Sequence, residues 1–344
     1  MTSATALWTS RRTPAHSLDA GKLRFFALEA SAPLGRAGAE ALGVTLSALE
    51  ERDFEDGEHK ARPLVPVRGM HAYVIQSLHG GPAASANDKL CRLLFFIGAL
   101  KDAGAARVTA LVPYLCYARK DRRTKTNDPV TTRYVAALFE AVGTDSVVTL
   151  DVHNPAAFEN AFRCPNVALT AAPLFVDYAL ALGEEKLCVI SPDPGGTKRA
   201  ELFREALEQA SGRPVAKAFV DKHRSAGVVT GDLFVGDAAG TTAFIIDDLL
   251  STGGTLLRAA RAARAAGVRR VFALVTHGLF MAGSEAALSD PALDRVAVTD
   301  AVPPFRVTDA RLREKLDFLP CAPLLAEAIR RLQQGSPMDD LLVF

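Results

Sequence analysis

The stretch Phe244-Ile-Ile-Asp247-Asp248-Leu-Leu-Ser251-Thr252-Gly253-Gly254-Thr255-Leu256 decides the fold of this chain. An apolar run ends in two carboxylates, a small polar turn with paired glycines follows, and an alanine-rich stretch begins behind the turn. A strand that leads through a glycine turn into a helix is the unit of parallel sheets covered by helices. From about residue 21 onward the chain repeats this alternation, which predicts an α/β protein with mainly parallel sheets flanked by helices.

Alternating β-branched runs and Ala/Leu-rich stretches place the individual elements. The predicted strands are Ala72–Gln76, Arg107–Pro113, Ser146–Asp151, Leu187–Ser191, Val215–Val220, Thr242–Asp247 and Arg270–Thr276. The predicted helices are Asp88–Ala103, Val130–Val142, Ala171–Leu182, Thr197–Ala210, Gly254–Ala266 and Pro323–Leu332.

An internal repeat indicates two related halves. Gly104–Val112 and Gly267–Val275 match at six of nine positions, and each follows a helical stretch with a glycine at its end. Chance similarity between two helix–strand units is the alternative. We expect a flexible tail at 1–21, an N-terminal domain at 22–172 with 322–344 packing back on it, and a C-terminal domain at 173–321, related by internal duplication.

Composition excludes several classes of protein. The chain has 344 residues, 49% hydrophobic and 23% charged, and a formal net charge of +1, so neither disorder nor a general affinity for nucleic acid is indicated. No apolar run reaches the length of a membrane span, and the five cysteines show no CxxC spacing. We therefore expect a cytoplasmic protein with free thiols and with neither nucleic acid nor membrane as partner. An organelle transit peptide is the alternative for the Ser/Thr/Arg-rich tail.

The Asp247–Thr255 segment is the sharpest candidate site. Successive backbone N–H groups in such a turn bind phosphate, and glycine lets the backbone approach closely. The carboxylates of Asp247 and Asp248 suit either ribose hydroxyls or a magnesium ion. A helix capped by Thr252 is the purely structural alternative. A Walker A motif is excluded, because Gly195-Gly196-Thr197-Lys198 is the nearest match and lacks the adjacent Gly-Lys.

Three other segments follow predicted strands. The turn Pro192–Gly196 repeats the glycine plan around Asp193 and leads into a helix with a basic first turn, so it predicts a second phosphate site. Pro113–Arg123 holds a cluster of cations, either for polyphosphate or as a solvated surface. Asp151–Asn154 and Asp221–Ser225 carry a lone histidine and a basic group, which could equally be surface turns.

Taken together in chain order, these segments resemble the ribose-phosphate diphosphokinases, also called phosphoribosyl pyrophosphate synthetases. The resemblance covers about residues 24–332. Its motifs are Phe54-Glu-Asp56-Gly-Glu58, Tyr117-Ala-Arg119-Lys120-Asp121-Arg122, Asp151-Val-His153, Ser191-Pro-Asp193-Pro-Gly-Gly196, Asp221-Lys222-His223-Arg224 and Asp247–Thr255.

The resemblance implies two phosphoribosyltransferase-like domains and a homo-oligomer, a hexamer built from dimers. It also implies magnesium-dependent transfer of the β,γ-diphosphoryl group of ATP to the anomeric hydroxyl of ribose 5-phosphate, with AMP as the second product. The implied catalytic pair is Lys222 and Arg224, in a flexible loop. The implied ATP-binding residues are Phe54, Asp56 and Glu58, acting on a neighbouring subunit, with Arg119, Lys120 and His153. The implied ribose-phosphate residues are Asp247, Asp248, Ser251, Thr252, Gly253, Gly254 and Thr255, and the implied magnesium site is His153 and Asp193.

Three residues depart from the family pattern. Ser251 stands where an aspartate is usual, Lys120 where a glutamine is common, and His223 where an arginine is expected. Three other functions stay open at this stage: the same transfer to a different phosphorylated sugar, a phosphoribosyltransferase, and a non-catalytic regulatory partner of a true synthetase.

Overall fold

A computed structural model describes the backbone of residues 20–225 and 228–342, and the side chains of residues 21–221 and 233–342. The predicted tail at 1–21 therefore lies outside the described residues up to residue 19. The described residues divide into two compact units: residues 20–170 with 321–342 form the first unit, and residues 171–320 form the second.

Strands and helices alternate along most of the described chain. The strands are β1 Leu23–Ala27, β2 Leu49–Asp53, β3 His59–Pro63, β4 His71–Ile75, β5 Arg107–Val112, β6 Ser146–Leu150, β7 Asn166–Leu169, β8 Leu187–Ser191, β9 Val215–Ser225, β10 Val228–Val235, β11 Thr242–Leu250, β12 Arg270–Gly278, β13 Arg295–Thr299 and β14 Leu316–Leu319. The α-helices are α1 Ala32–Leu42, α2 Ala86–Asp102, α3 Thr131–Ala141, α4 Pro155–Ala161, α5 Ala172–Ala181, α6 Thr197–Ser211, α7 Gly254–Ala265, α8 Ser284–Leu288, α9 Ala310–Glu314 and α10 Ala322–Gln334.

The first unit is built on a parallel sheet in the order β1-β4-β5-β6-β7. Its central strands are buried along nearly their whole length, as expected where helices cover both faces. A separate antiparallel hairpin, β2–β3, packs against α2. The C-terminal helix α10 packs against α1 of this same unit.

The second unit is built on a seven-stranded sheet in the order β10-β9-β8-β11-β12-β13-β14. Every neighbouring pair is parallel except β9–β10, which is antiparallel. Its core lies between the sheet and its helices, with the small residues Ala259, Ala260 and Ala263 bringing α7 close to the strands. The predicted α/β class with mainly parallel sheets flanked by helices is confirmed.

The two sheets share one chain order. In each unit five strands are neighbours in the sheet in the same order as in the chain: β1-β4-β5-β6-β7 in the first unit and β8-β11-β12-β13-β14 in the second. In each unit a hairpin also comes between the first and second of these strands along the chain: β2–β3 in the first unit and β9–β10 in the second. The repeated sequence segments fall on equivalent strands, β5 and β12. This correspondence is what an internal duplication would produce, and the duplication itself stays a prediction.

Three strands, β9, β11 and β12, are longer than the sequence indicates. Strand β9 continues to Ser225 because its last residues pair with β10, so the backbone of Asp221–Ser225 is extended there and not a loop. Strand β11 continues to Leu250 because β12 pairs with it as far as Gly278. Asp247 and Asp248 therefore stand within a strand instead of ending it.

No described helix is long and apolar enough to cross a membrane. All five cysteines carry free thiols: Cys116, Cys188 and Cys321 are buried, whereas Cys91 is exposed.

Candidate active site

Asp247 and Asp248 lie where β11 extends past one of its neighbours. The pairing of β8 with β11 stops at Ile190 and Ile245, while β12 continues alongside β11 beyond that point. The carboxylates thus occupy an opening at the carboxyl edge of the sheet, the edge at which α/β proteins bind ligands.

Arg199 enters this opening from the first turn of α6. Its Nη1 lies 3.0 Å from Asp248 Oδ1 and 3.5 Å from Asp247 Oδ1. The Asp248 side chain is only 7% exposed, so this ion pair is poorly screened by solvent. Burial and the neighbouring Asp248 raise the pKa of Asp247 to about 7, while Arg199 acts in the opposite direction.

The turn after β11 is shaped by Gly253. Its φ is +78°, a left-handed conformation, and an added Cβ would lie 3.0 Å from the Cβ of Ala287. Gly253 also occupies the N-cap position of α7, with no side-chain cap, so Thr252 does not cap the helix. The carbonyls of Leu250 and Ser251 accept hydrogen bonds from the segment after β12, from Leu279 and Met281. These two bonds fix the backbone at the start of the turn against the segment that follows β12.

The turn after β8 is partly closed on itself. Asp193 Oδ1 accepts the Gly196 amide at 3.1 Å, and the Ser191 hydroxyl donates to the Asp193 carbonyl at 2.6 Å. An added Cβ at Gly196 would lie 3.0 Å from Ser191 Oγ. Because its own carboxylate accepts the Gly196 amide, this turn offers fewer amides to phosphate than the sequence indicates.

The basic segment of the first unit lies in the loop after β5. Arg119 and Lys120 are exposed, and the Lys120 amide donates to the Tyr117 carbonyl at 3.0 Å. Asn154 Nδ2 donates to Asp121 Oδ2 at 2.8 Å, which joins this loop to the one after β6. The predicted ATP-binding pair and His153, the residue before Asn154, therefore come from two loops that are bonded to each other within one unit.

The remaining predicted ATP-binding residues form the tip of the β2–β3 hairpin. Phe54 and Glu58 close the turn through a 2.8 Å backbone hydrogen bond, and Phe54, Asp56 and Glu58 are all exposed in the described chain. The guanidinium of Arg52 lies 5.0 Å from the centre of the Phe54 ring. An ion pair of 2.5 Å between Arg92 on α2 and Asp53 links the hairpin to α2 of the same unit.

Comparison with known proteins places the chain in a family. Residues 23–143 match the model described as the N-terminal domain of ribose phosphate pyrophosphokinase, and residues 226–343 match the phosphoribosyl synthetase-associated domain. A ribose-phosphate pyrophosphokinase of Hyphomonas neptunium is 36% identical over 93% of this chain and 99% of its own length. Ribose-phosphate pyrophosphokinase 2 of Enterococcus faecalis is 34% identical over 93% and 96%. The chain belongs to the ribose-phosphate pyrophosphokinase family.

A solved structure agrees with the sequence relatives. The crystal structure of phosphoribosylpyrophosphate synthetase from Mycobacterium smegmatis superposes with a TM-score of 0.79, at 33% identity, over 92% of this chain and all of that one. The resemblance drawn from the sequence motifs is thereby confirmed.

In this family member the predicted site residues are distributed over both units. The second unit brings together Asp247, Asp248 and Arg199, with the Ser251–Thr255 turn at the end of the same strand. The backbone of Lys222 and Arg224 lies in β9, and their side chains lie outside the described ones. Arg199 is the residue that sequence reasoning missed. The signal was the basic first turn of its helix, which had no assigned partner.

Asp193 fits a magnesium ion better than His153 does. Asp193 supplies a carboxylate oxygen besides the one that caps Gly196, and magnesium is bound by one or two carboxylates together with substrate phosphates and water. His153 offers an imidazole nitrogen, which suits softer metals. Among the described residues no group of three or more His, Cys, Asp or Glu side chains could hold a metal.

Proposed function

We propose that this chain is a ribose-phosphate diphosphokinase, which converts Mg-ATP and ribose 5-phosphate to phosphoribosyl pyrophosphate and AMP. The observation that carries the proposal is the carboxylate pair Asp247–Asp248 in an open strand edge, three residues before a glycine turn fixed by Gly253. Carboxylates accept hydrogen bonds from sugar hydroxyls, and the backbone of the turn suits the 5-phosphate. Family membership over almost the whole chain supports the same assignment.

The reaction needs positioning and charge compensation, and no protein nucleophile. The anomeric oxygen attacks the β-phosphorus in line, the bond from that phosphorus to the α,β-bridging oxygen breaks, AMP leaves with the bond electrons, and the hydroxyl proton passes to solvent. A bound magnesium ion would draw charge from the phosphates. Asp193 would hold it, with His153 beside the triphosphate.

We infer that the basic residues act on the nucleotide side. Arg119 and Lys120 are exposed and can pair with phosphates, while Lys222 and Arg224 would offset the charge that develops at the transferred group. Phe54, Asp56 and Glu58 would bind adenine on a neighbouring subunit, which their position at an exposed hairpin tip supports. This role requires a homo-oligomer, a hexamer by family resemblance. A cytoplasmic location stays a prediction.

One assay tests the function. The purified protein is mixed with Mg-ATP and each of several sugar phosphates, and AMP release is followed. AMP formed with ribose 5-phosphate supports the proposal, and a strong preference for another pentose phosphate would redirect it to a different acceptor. No AMP with any sugar would indicate a regulatory partner or a phosphoribosyltransferase. Asp248→Asn should abolish turnover, whereas Asp237→Asn, which removes an exposed carboxylate of the same unit, serves as the matched control.

A further inference from the structure

Arg199 has a position that the substrates alone do not explain. It starts from the first turn of α6, directly behind the Asp193–Gly196 turn, and its guanidinium contacts both carboxylates of a strand 48 residues further along the chain. The side chain is 23% exposed, so a long and flexible cation is kept largely out of solvent. A largely buried ion pair stabilises the folded protein only when its geometry is good, so the Arg199 guanidinium must be held in a fixed position.

We propose that Arg199 is a positioning residue of the sugar site, which orients Asp247 and Asp248 and offsets their negative charge, so that both carboxylates can accept hydrogen bonds from ribose hydroxyls. The proposal deepens the proposed function and rests on it. By bridging α6 and β11, Arg199 also fixes the spacing between the Asp193 turn and the carboxylate pair. In this role it acts through the aspartates and does not touch the reacting atoms.

Electrostatics supports this role. Asp248 Oδ1 accepts from Arg199, and Asp247 Oδ1 accepts the Asp248 amide at 2.9 Å, so the two carboxylates are adjacent and oriented by different donors. Two adjacent carboxylates in a desolvated place repel, and one of them tends to take a proton. A protonated carboxyl carries no charge and presents one oxygen as a donor, so it is a weaker acceptor for sugar hydroxyls than a carboxylate.

Asp247 has few charged or titratable neighbours among the described side chains. Asp248 lies on the same strand and Arg199 on α6, after the exposed Lys198. On β12 the residue paired with Asp247 is the apolar Val275, and the buried His277 is paired with Leu249 two positions further on. On the other side β8 has already stopped pairing, and Asp193 belongs to the turn that follows it. Arg199 is thus a cation in direct contact with both carboxylates, and its removal shifts the proton balance of Asp247 toward the neutral acid.

The size of that shift sets the expected result. With its pKa at about 7, Asp247 is about half ionised at neutral pH. A further rise of about one unit on loss of Arg199 would leave about a tenth ionised at about pH 7, and would restore most of the charge at about pH 9. A defect caused by protonation is therefore relieved at high pH, whereas a defect caused by misfolding is not.

The test compares Arg199→Gln, Arg199→Lys and the control Arg204→Gln. Arg204 lies on the same helix and forms ion pairs with Glu201 and Glu208, away from the carboxylate pair. Steady-state kinetics are measured with each substrate varied, at about pH 7 and about pH 9, together with calorimetric binding of ribose 5-phosphate alone. For Arg199→Gln we expect KM and Kd for ribose 5-phosphate to rise about fivefold at the lower pH, with KM for ATP changed by less than about twofold.

Three further results complete the comparison. The defect in Arg199→Gln should shrink about fivefold at the higher pH, Arg199→Lys should recover part of the affinity, and Arg204→Gln should match the parent chain. A rise confined to KM for ATP would show that Arg199 binds nucleotide instead, and a loss that is independent of pH would show a structural role. Either result overturns the proposal.

The proposed function can fail separately. If the parent chain binds ribose 5-phosphate but releases no AMP, the diphosphokinase assignment fails while the calorimetric comparison still decides the role of Arg199. If the parent chain binds no ribose 5-phosphate, both fail.

Discussion

The backbone amide of Val271 donates to Asp294 Oδ2 at 2.6 Å, and the amide of Asp294 donates back to the Val271 carbonyl at 2.9 Å. Arg264, at the end of the preceding helix, also contacts Asp294 Oδ2 at 2.6 Å. The Asp294 carboxylate thus connects the end of the preceding helix with the start of β12, just before β13 begins.

The first unit contains the same arrangement. Val108 donates to Asp145 Oδ2 at 2.7 Å, Asp145 donates back to Val108 at 2.9 Å, and Lys101 contacts the same oxygen at 2.9 Å. Lys101 and Val108 stand at the positions that correspond to Arg264 and Val271 in the sequence repeat. The shared contact favours duplication over chance similarity.

Neutralising either carboxylate should destabilise its unit. Asp145→Asn and Asp294→Asn keep the size of the side chain but replace a charge-assisted acceptor, so we expect the free energy of unfolding to fall by about 1–3 kcal/mol in each. Urea unfolding monitored by circular dichroism measures the change. Asp102→Asn, at an exposed helix end, is the control and should stay within about 0.5 kcal/mol. Equal values for all three variants would contradict the structural role.

Gly253→Ala should damage the phosphate turn. The substitution forces a side chain into a left-handed conformation and against the Cβ of Ala287, so we expect a loss of about 1–3 kcal/mol in stability and weaker binding of ribose 5-phosphate. Gly254→Ala is the comparison for stability, because its added Cβ would meet only Thr252 Oγ1, at 4.0 Å. Thermal unfolding ranks the two, and a Gly253 variant as stable as the Gly254 variant would rule out the strain argument.

The stability of the first unit should fall in mild acid because of His71. Burial, with help from Arg107, lowers the pKa of His71 to about 4, and its Nε2 lies 2.9 Å from Thr109 Oγ1. Between the unfolded pKa near 6.5 and about 4, the unfolded chain binds the proton and the folded chain does not, so the free energy of unfolding decreases as pH falls.

His71→Gln tests this pH dependence. In that window the unfolding free energy of the variant should depend less steeply on pH than that of the parent chain. The difference in slope corresponds to up to one proton, or about 1.4 kcal/mol per pH unit at most. Above about pH 7 the two chains should change in parallel, because His71 is then neutral in both states. Identical slopes near pH 5 would mean that His71 does not titrate as described.

Lys222→Ala or Arg224→Ala should lower turnover about a hundredfold or more, the scale on which removal of a group that stabilises transition-state charge acts. KM for ribose 5-phosphate should change less than kcat, because the charge develops only during transfer. Steady-state AMP formation gives both constants. Lys217→Ala is the matched control, because Lys217 lies on the same strand, β9, and pairs with Glu201 of α6. A loss of only about twofold would show that Lys222 and Arg224 do not stabilise the transition state.

Local sequence patterns predicted the regular elements well where a strand or helix is buried. Strand Leu187–Ser191 is found as predicted, and the helix predicted at Gly254–Ala266 ends one residue earlier. In both cases continuous apolar or alanine-rich runs leave one conformation that buries the side chains. Seven described strands were missed: β1, β2, β3, β7, β10, β13 and β14. Six of them have only four or five residues, a length that separates a strand from a loop only when the run is continuously apolar.

The sequence by itself determined the α/β class, the glycine turn after β11 and the family, because those depend on residue types close together in the chain and on the order of motifs. Only the tertiary structure decided that β9 extends through Lys222 and Arg224, because its length depends on pairing with β10. Only the tertiary structure joined Arg199 to Asp247 and Asp248 as well. That contact arises where β8 stops pairing and α6 turns back over the sheet, and a charge contact between distant segments leaves no periodic signal in the chain.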